Sequence, residues 1–109
     1  MAKVYVSNAF SLNMLNTSDD VSIKVKPMSP AEAAVFLHSN TWESAWGHPS
    51  SAPLYSMYID AEIPINRVSL TLEKGDVLVV GQYKGPRLEE GATVLPEGAH
   101  FETLKVEIL

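Results

Sequence analysis

The chain has no cysteine among its 109 residues, which excludes disulfides, thiolate metal sites and cysteine nucleophiles. Basic residues are also scarce, with 8 Lys and Arg against 13 Asp and Glu for a formal net charge of −5. That sign opposes a grip on long nucleic acid by counterion release, so duplex DNA is not an expected partner. Any anionic ligand must be held locally, because salt confines exposed charges to about 8 Å. No apolar run approaches bilayer length, and Met1–Ser7 turns polar too early for a signal-peptide core. Membrane association is therefore not expected, and a cytoplasmic location is. Phosphate-loop, dinucleotide-binding, nucleophile-elbow and H-E-x-x-H signatures are missing. His38, His48 and His100 lack helical i, i+4 spacing, so neither a metal nor another cofactor is expected.

What remains is the composition of one folded domain, 46% hydrophobic and 19% charged. Val4 and Val6 alternate with Tyr5 and Ser7 as a first strand. Ser11 follows as a cap for a short helix carrying Leu12 and Leu15 toward the core. Val21, Ile23 and Val25 alternate with polar residues as a second strand near an edge, stopped by Pro27. Ser29-Pro30-Ala31-Glu32 is a capping box with proline at the first helical position. A second helix is predicted to start among Ser50, Ser51 and Pro53 and to run to about Ile59. Ile65–Leu72 and Val77–Gln82, joined by Glu73-Lys74-Gly75-Asp76, read as a β-hairpin, and Phe101–Leu109 as a last strand. The sum over residues 1–109 is a single-domain α/β fold, a five-stranded mixed sheet with flanking helices.

Among individual residues, His48 stands out. Gly47 permits close approach by backbone or ligand, and Pro49 biases His48 toward an extended conformation that presents its ring. At the mouth of a helix that ring suits a proton donor to a phosphate leaving group, since the helix dipole recruits anions beside it. Capping or packing, as for any loop histidine, is the other reading. Arg67 and Arg87 are the chain's two arginines, and each reads equally as a phosphate fork or as a solvated side chain. Glu89 and Glu90 would point apart in an extended loop, so a shared-proton dyad is not expected.

The order of the pieces is more specific than any one of them. Asn8-Ala9-Phe10-Ser11 follows a first strand, Gly47-His48 precedes a helix, and Asn66-Arg67-Val68 opens a strand. Gln82 then ends the next strand, before Arg87-Leu88-Glu89-Glu90-Gly91. Across nearly the whole chain this order resembles the viral-type ring nucleases, which viruses use as type III anti-CRISPR factors and cellular genomes also encode. The resemblance implies a homodimer that binds cyclic tetra-adenylate across its two-fold axis. It further implies metal-independent cleavage to linear diadenylates ending in a 2′,3′-cyclic phosphate, with the substrate's own 2′-OH as nucleophile. In a virus the place of action would be the host cytoplasm.

Carried onto this sequence, the resemblance makes His48 the general acid and places Arg87 on the phosphoribose backbone. Glu90 reaches the partner subunit's site, and Asn8, Ser11, Asn13, Ser50, Ser51, Arg67 and Gln82 fall on ligand-contacting positions. Backbone amides after Ser11 and near Ser50 are expected to meet phosphates. Gly85-Pro86 lengthens the approach to Arg87 by one residue relative to the family, and Ala92–His100 is too short and proline-glycine-rich for the helix often found there. Trp42 and Trp46 have no family role, leaving core packing and adenine stacking both open. A reading from another class is a non-catalytic nucleic-acid-binding or regulatory dimer, against which the net charge counts.

Overall fold

The computed structural model describes residues 2–89 and 91–109. Its elements are β1 (Val4–Ser7), a 3-10 turn (Leu12–Met14), β2 (Ile23–Met28), α1 (Pro30–His38) and β3 (Glu43–Ser44), followed by α2 (Ala52–Ile59), β4 (Val77–Lys84) and β5 (His100–Ile108). The strands form one mixed sheet in the order β2-β5-β4-β1-β3. β1 runs parallel to β3 and β4, while β5 runs antiparallel to β4 and β2. The α/β class and the five-stranded mixed sheet with flanking helices hold.

The expected hairpin does not. β4 has both sides occupied, by β1 and β5, so no edge is left for Ile65–Leu72. The choice follows from burial. Leu78, Val79 and Val80 are buried on both faces, as a central strand requires, whereas Ile65 and Val68 are about half exposed. The 65–72 segment instead crosses the sheet and touches strand-like partners at two single bridges, Trp46 to Ile65 and Leu15 to Leu72. The fifth strand is the two-residue β3, too short to leave a periodic signal. β2 continues through Pro27, contrary to expectation, because it is an edge strand with a partner on one side only, where proline's missing N–H is tolerated.

Alternation along the strands divides the core in two. Val6, Val79 and Phe101 face both helices, meeting Ala33 and Leu37 of α1 and Ala52, Tyr55 and Ile59 of α2. α1 is fixed by the expected capping box: Ser29 Oγ accepts from the Glu32 N–H at 3.1 Å, and Glu32 Oε1 accepts from the Ser29 N–H at 3.0 Å. These bonds hold the Glu32 carboxyl below its ordinary pKa. On the opposite face Leu78, Val80, Val106 and Ile108 are covered by the connections carrying Phe10, Met14, Leu15, Leu70 and Leu72, whereas Leu12, expected in the core beside Leu15, points to solvent because its turn is a single 3-10 turn. A backbone bond from the Leu72 N–H to the Met14 carbonyl, 2.6 Å, ties these two connections together.

The helix-side core is built on aromatic rings. Tyr55 stacks on Trp46 with ring centroids 4.8 Å apart and meets Phe101 edge-on at 5.0 Å. Its hydroxyl lies 2.7 Å from Thr103 Oγ1. The rings press on β4 at Gly81, where a Cβ would sit 2.5 Å from the Tyr55 ring and 2.8 Å from Trp46. Gly81→Ala is therefore expected to cost about 1–3 kcal/mol as the stack is displaced, read from the denaturation midpoint.

Burial pushes the Tyr55 hydroxyl from 10.0 to about 12. The folded state thus holds a proton that the unfolded chain gives up first. The contribution is intact below pH 10.0 and is lost as pH rises toward about 12. The loss is about 2–3 kcal/mol. Denaturation at a series of alkaline pH values checks this, and Tyr55→Phe should flatten that part of the profile.

Candidate functional site

The parallel strands β1 and β4 end on the same side of the sheet, beside the start of α2. The connections on the second face stop short of this end and leave a cleft of about 450 Å³. Val25, Val80, Leu104 and Val106 line it with Phe10 and Tyr83, while Asn8, His48, Ser51 and Gln82 supply polar groups. A second hollow of about 500 Å³ is bordered by Asn8, Gly47, His48 and Arg67, so His48 belongs to both linings.

His48 is exposed, so its ring is presented to solvent and not packed into the core. Its backbone carbonyl accepts from the Ala52 N–H at 3.2 Å, which ties it to the start of α2, in the turn that leads into the Ser51 cap. Nδ1 accepts from the Ser51 N–H at 3.2 Å and lies 2.8 Å from Ser51 Oγ. Among the described residues Nε2 has no hydrogen-bond partner, and it is the ring nitrogen left for a ligand. The other histidines lie elsewhere: His38 Nε2 is 3.1 Å from the Asp60 carbonyl, and His100 is 3.8 Å from Glu102. Among the described residues no group of three or more His, Asp or Glu is placed to hold a metal ion.

The segment that carries His48 is held from two directions. Asn8 Oδ1 accepts from the Gly47 N–H at 2.9 Å, and Arg67 donates from Nε to the Gly47 carbonyl at 2.8 Å. Arg67 is brought there by the Asn66 backbone N–H on the Trp46 carbonyl, 2.9 Å, and by Asn66 Nδ2 on the Ser44 carbonyl, 2.8 Å. The close approach that Gly47 permits is to Arg67, whose Cγ would lie 3.2 Å from a Cβ at that position. A side chain there would push against the arginine.

Of the residues singled out in the sequence, the fold brings Asn8, His48, Ser51, Arg67 and Gln82 together around the two hollows. Ser11, Asn13 and Ser50 are outside both linings. The turn at Ser11 has three residues, and its amides are partly occupied: the Asn13 N–H by Ser11 Oγ at 3.2 Å, the Met14 N–H by the Ser11 carbonyl at 2.9 Å. Near Ser50 the amides of Ser51 and Ala52 are likewise taken by His48. Arg87 is exposed on the connection between β4 and β5 and lines neither hollow. Its neighbour Leu88 is buried in the helix-side core, which anchors that connection. As the sequence suggested, Ala92–Ala99 forms no helix. Glu90 lies outside the described residues.

Trp46 has no exposed surface and offers no face to a base, and Trp42 is half-buried against the same core. Phe10, Val25, Tyr83 and Leu104 were not legible as site residues. Each reads in the sequence as an ordinary apolar strand or turn position, and the shared cleft arises only once β2, β5 and the 8–15 connection come together.

The profile of the STIV B116-like family matches residues 4–107. The chain belongs to that family. One relative, Uncharacterized protein 26 of the Sulfolobus islandicus filamentous virus (isolate Iceland/Hveragerdi), is 33% identical over 91 residues, 84% of this chain and 75% of its own length. A similar solved structure is B116 of Sulfolobus turreted icosahedral virus, with a TM-score of 0.80 at 24% identity, covering 97% of this chain and 99% of that one. At that identity the likeness establishes the B116 fold. Family membership thus rests on sequence, the architecture on the fold, and both named relatives are viral proteins. No helix among the described residues is long and apolar enough to cross a membrane.

Asn8→Ala would leave the partly buried Gly47 N–H without its acceptor. The expected cost is about 1–2 kcal/mol in chemical denaturation, larger than for Asn13→Ala on the exposed turn.

Proposed function

We propose that this B116-like protein is a metal-independent ring nuclease that binds cyclic tetra-adenylate as a homodimer and cuts it to linear diadenylates ending in a 2′,3′-cyclic phosphate. In a type III CRISPR setting it would remove the signal. The observation that carries the reading is His48: an exposed residue ahead of α2 that lines two hollows and is anchored through Nδ1, which leaves Nε2 for a ligand. A group held in that way can donate a proton to a leaving oxygen without moving.

In the proposed reaction the substrate's 2′-OH attacks the adjacent phosphorus in line and releases its proton to solvent, the P–O5′ bond breaks, and His48 Nε2 gives its proton to the departing 5′-oxygen. The protein need not supply a nucleophile, which agrees with a chain that has no cysteine. Arg67 borders the site from the same chain, and Asn8 and Gln82 offer amide groups to ribose and phosphate. The apolar floor of the cleft suits the faces of bases. Arg87 is outside the lining formed by its own chain, so in this reading it meets the phosphoribose backbone only where a second copy completes the site, and Glu90 acts across that interface.

The test is incubation with cyclic tetra-adenylate in the presence of a chelator, with cyclic tri- and hexa-adenylate as controls. Diadenylate products are expected. His48→Ala should slow single-turnover cleavage by roughly 10²- to 10⁴-fold while binding survives. Mixing His48→Ala with Glu90→Ala subunits should restore one working site per heterodimer. Uncut cyclic tetra-adenylate, or wild-type rates from His48→Ala, would remove the reading.

A further inference from the structure

Ser51 falls on an expected ligand-contacting position, yet only 2% of its surface is exposed. It caps α2 without a side-chain bond to the helix, because its hydroxyl is engaged elsewhere. Trp46 donates from Nε1 to Ser51 Oγ at 3.1 Å and to the His48 carbonyl at 3.1 Å. An indole nitrogen only donates, so Oγ must accept from it, and the hydroxyl proton is left to point at an acceptor. Two are in reach, His48 Nδ1 at 2.8 Å and the His48 carbonyl at 3.4 Å.

We infer that Trp46 and Ser51 are positioning residues for His48, forming a buried chain of hydrogen bonds that sets which ring nitrogen faces the cleft with its proton and that reverses one bond when the ring becomes charged. In the neutral ring Nδ1 accepts from the Ser51 amide and hydroxyl, so the proton resides on Nε2, the nitrogen that Ser51 leaves unoccupied. When a second proton arrives, Nδ1 becomes a donor. The Ser51 amide cannot reverse, but the hydroxyl can rotate to the His48 carbonyl and accept from Nδ1, while Trp46 holds the oxygen in place throughout. The catalytic consequence rests on the ring-nuclease reading. There, the charged ring gives its Nε2 proton to the 5′-oxygen and keeps its Nδ1 proton, hydrogen-bonded to Ser51 Oγ, until exchange with solvent restores the Nε2–H form. The relay itself does not depend on the substrate. Arg67 and Tyr83 are the other titratable side chains in the linings His48 faces, and neither hydrogen-bonds to Trp46 or Ser51.

The relay makes the Trp46 indole N–H a reporter of a ring to which it donates no hydrogen bond. In nitrogen-resolved NMR of the whole chain, the Trp46 indole signal should move with pH at the same midpoint as the His48 ring carbons. His48→Ala should abolish that movement, and Ser51→Ala should reduce it several-fold. An indole signal that stays flat while native His48 titrates overturns the proposal, and that measurement needs no variant to fold. Undiminished movement in Ser51→Ala overturns it as well. In the cleavage assay Ser51→Ala should lower kcat roughly tenfold with KM nearly unchanged, and a raised KM at full kcat would return Ser51 to ligand contact. A tracking indole in a protein that leaves cyclic tetra-adenylate intact would uphold the relay and remove only the ring-nuclease reading.

Discussion

The indole of Trp46 is wholly buried, and a buried N–H must find an acceptor or cost about 1–3 kcal/mol. Here it finds two, the Ser51 hydroxyl and the His48 carbonyl, which join the hydrophobic core to the mouth of α2. One face of the same ring stacks on Tyr55, whose hydroxyl reaches Thr103 on β5. Core and site therefore share one set of contacts. The exposed imidazole inherits the rigidity of the packed interior through Ser51, and so needs no packing of its own.

Sheet topology does the remaining positioning. A pair of parallel strands, β1 and β4, directs the residues that follow them to one side, and α2 begins there. Open α/β sheets characteristically place ligands outside the carboxyl ends of parallel strands. In this chain Asn8 leaves the end of β1 and turns back to hold Gly47, so the loop following one strand fixes the segment that carries His48. The second face is covered by irregular connections and not by helices, and that incomplete cover is what leaves an open cleft.

Much of the local structure was legible in the chain. The Ser29–Glu32 capping box, the start of α2 near Pro53, the edge position of β2 and the exposed His48 each follow from short-range chemistry. The alternation in Ile65–Leu72 was misleading, since a one-sided apolar pattern describes any segment laid across a core as well as it describes a strand. Only competition for the edges of β4 separates the two, and that is decided by β1 and β5, far away in sequence.

Composition alone determined that this protein has no thiol chemistry and carries the wrong charge for long polyanions, because those properties are sums over residues. The residue types at positions 47–49 likewise determined a presented histidine, through backbone preferences that act between neighbours. What Ser51 and Trp46 do was decided by the tertiary structure. A serine reads the same whether its hydroxyl meets a ligand or an indole, and only the packing of Trp46 against Tyr55 beneath the start of α2 turned that hydroxyl inward.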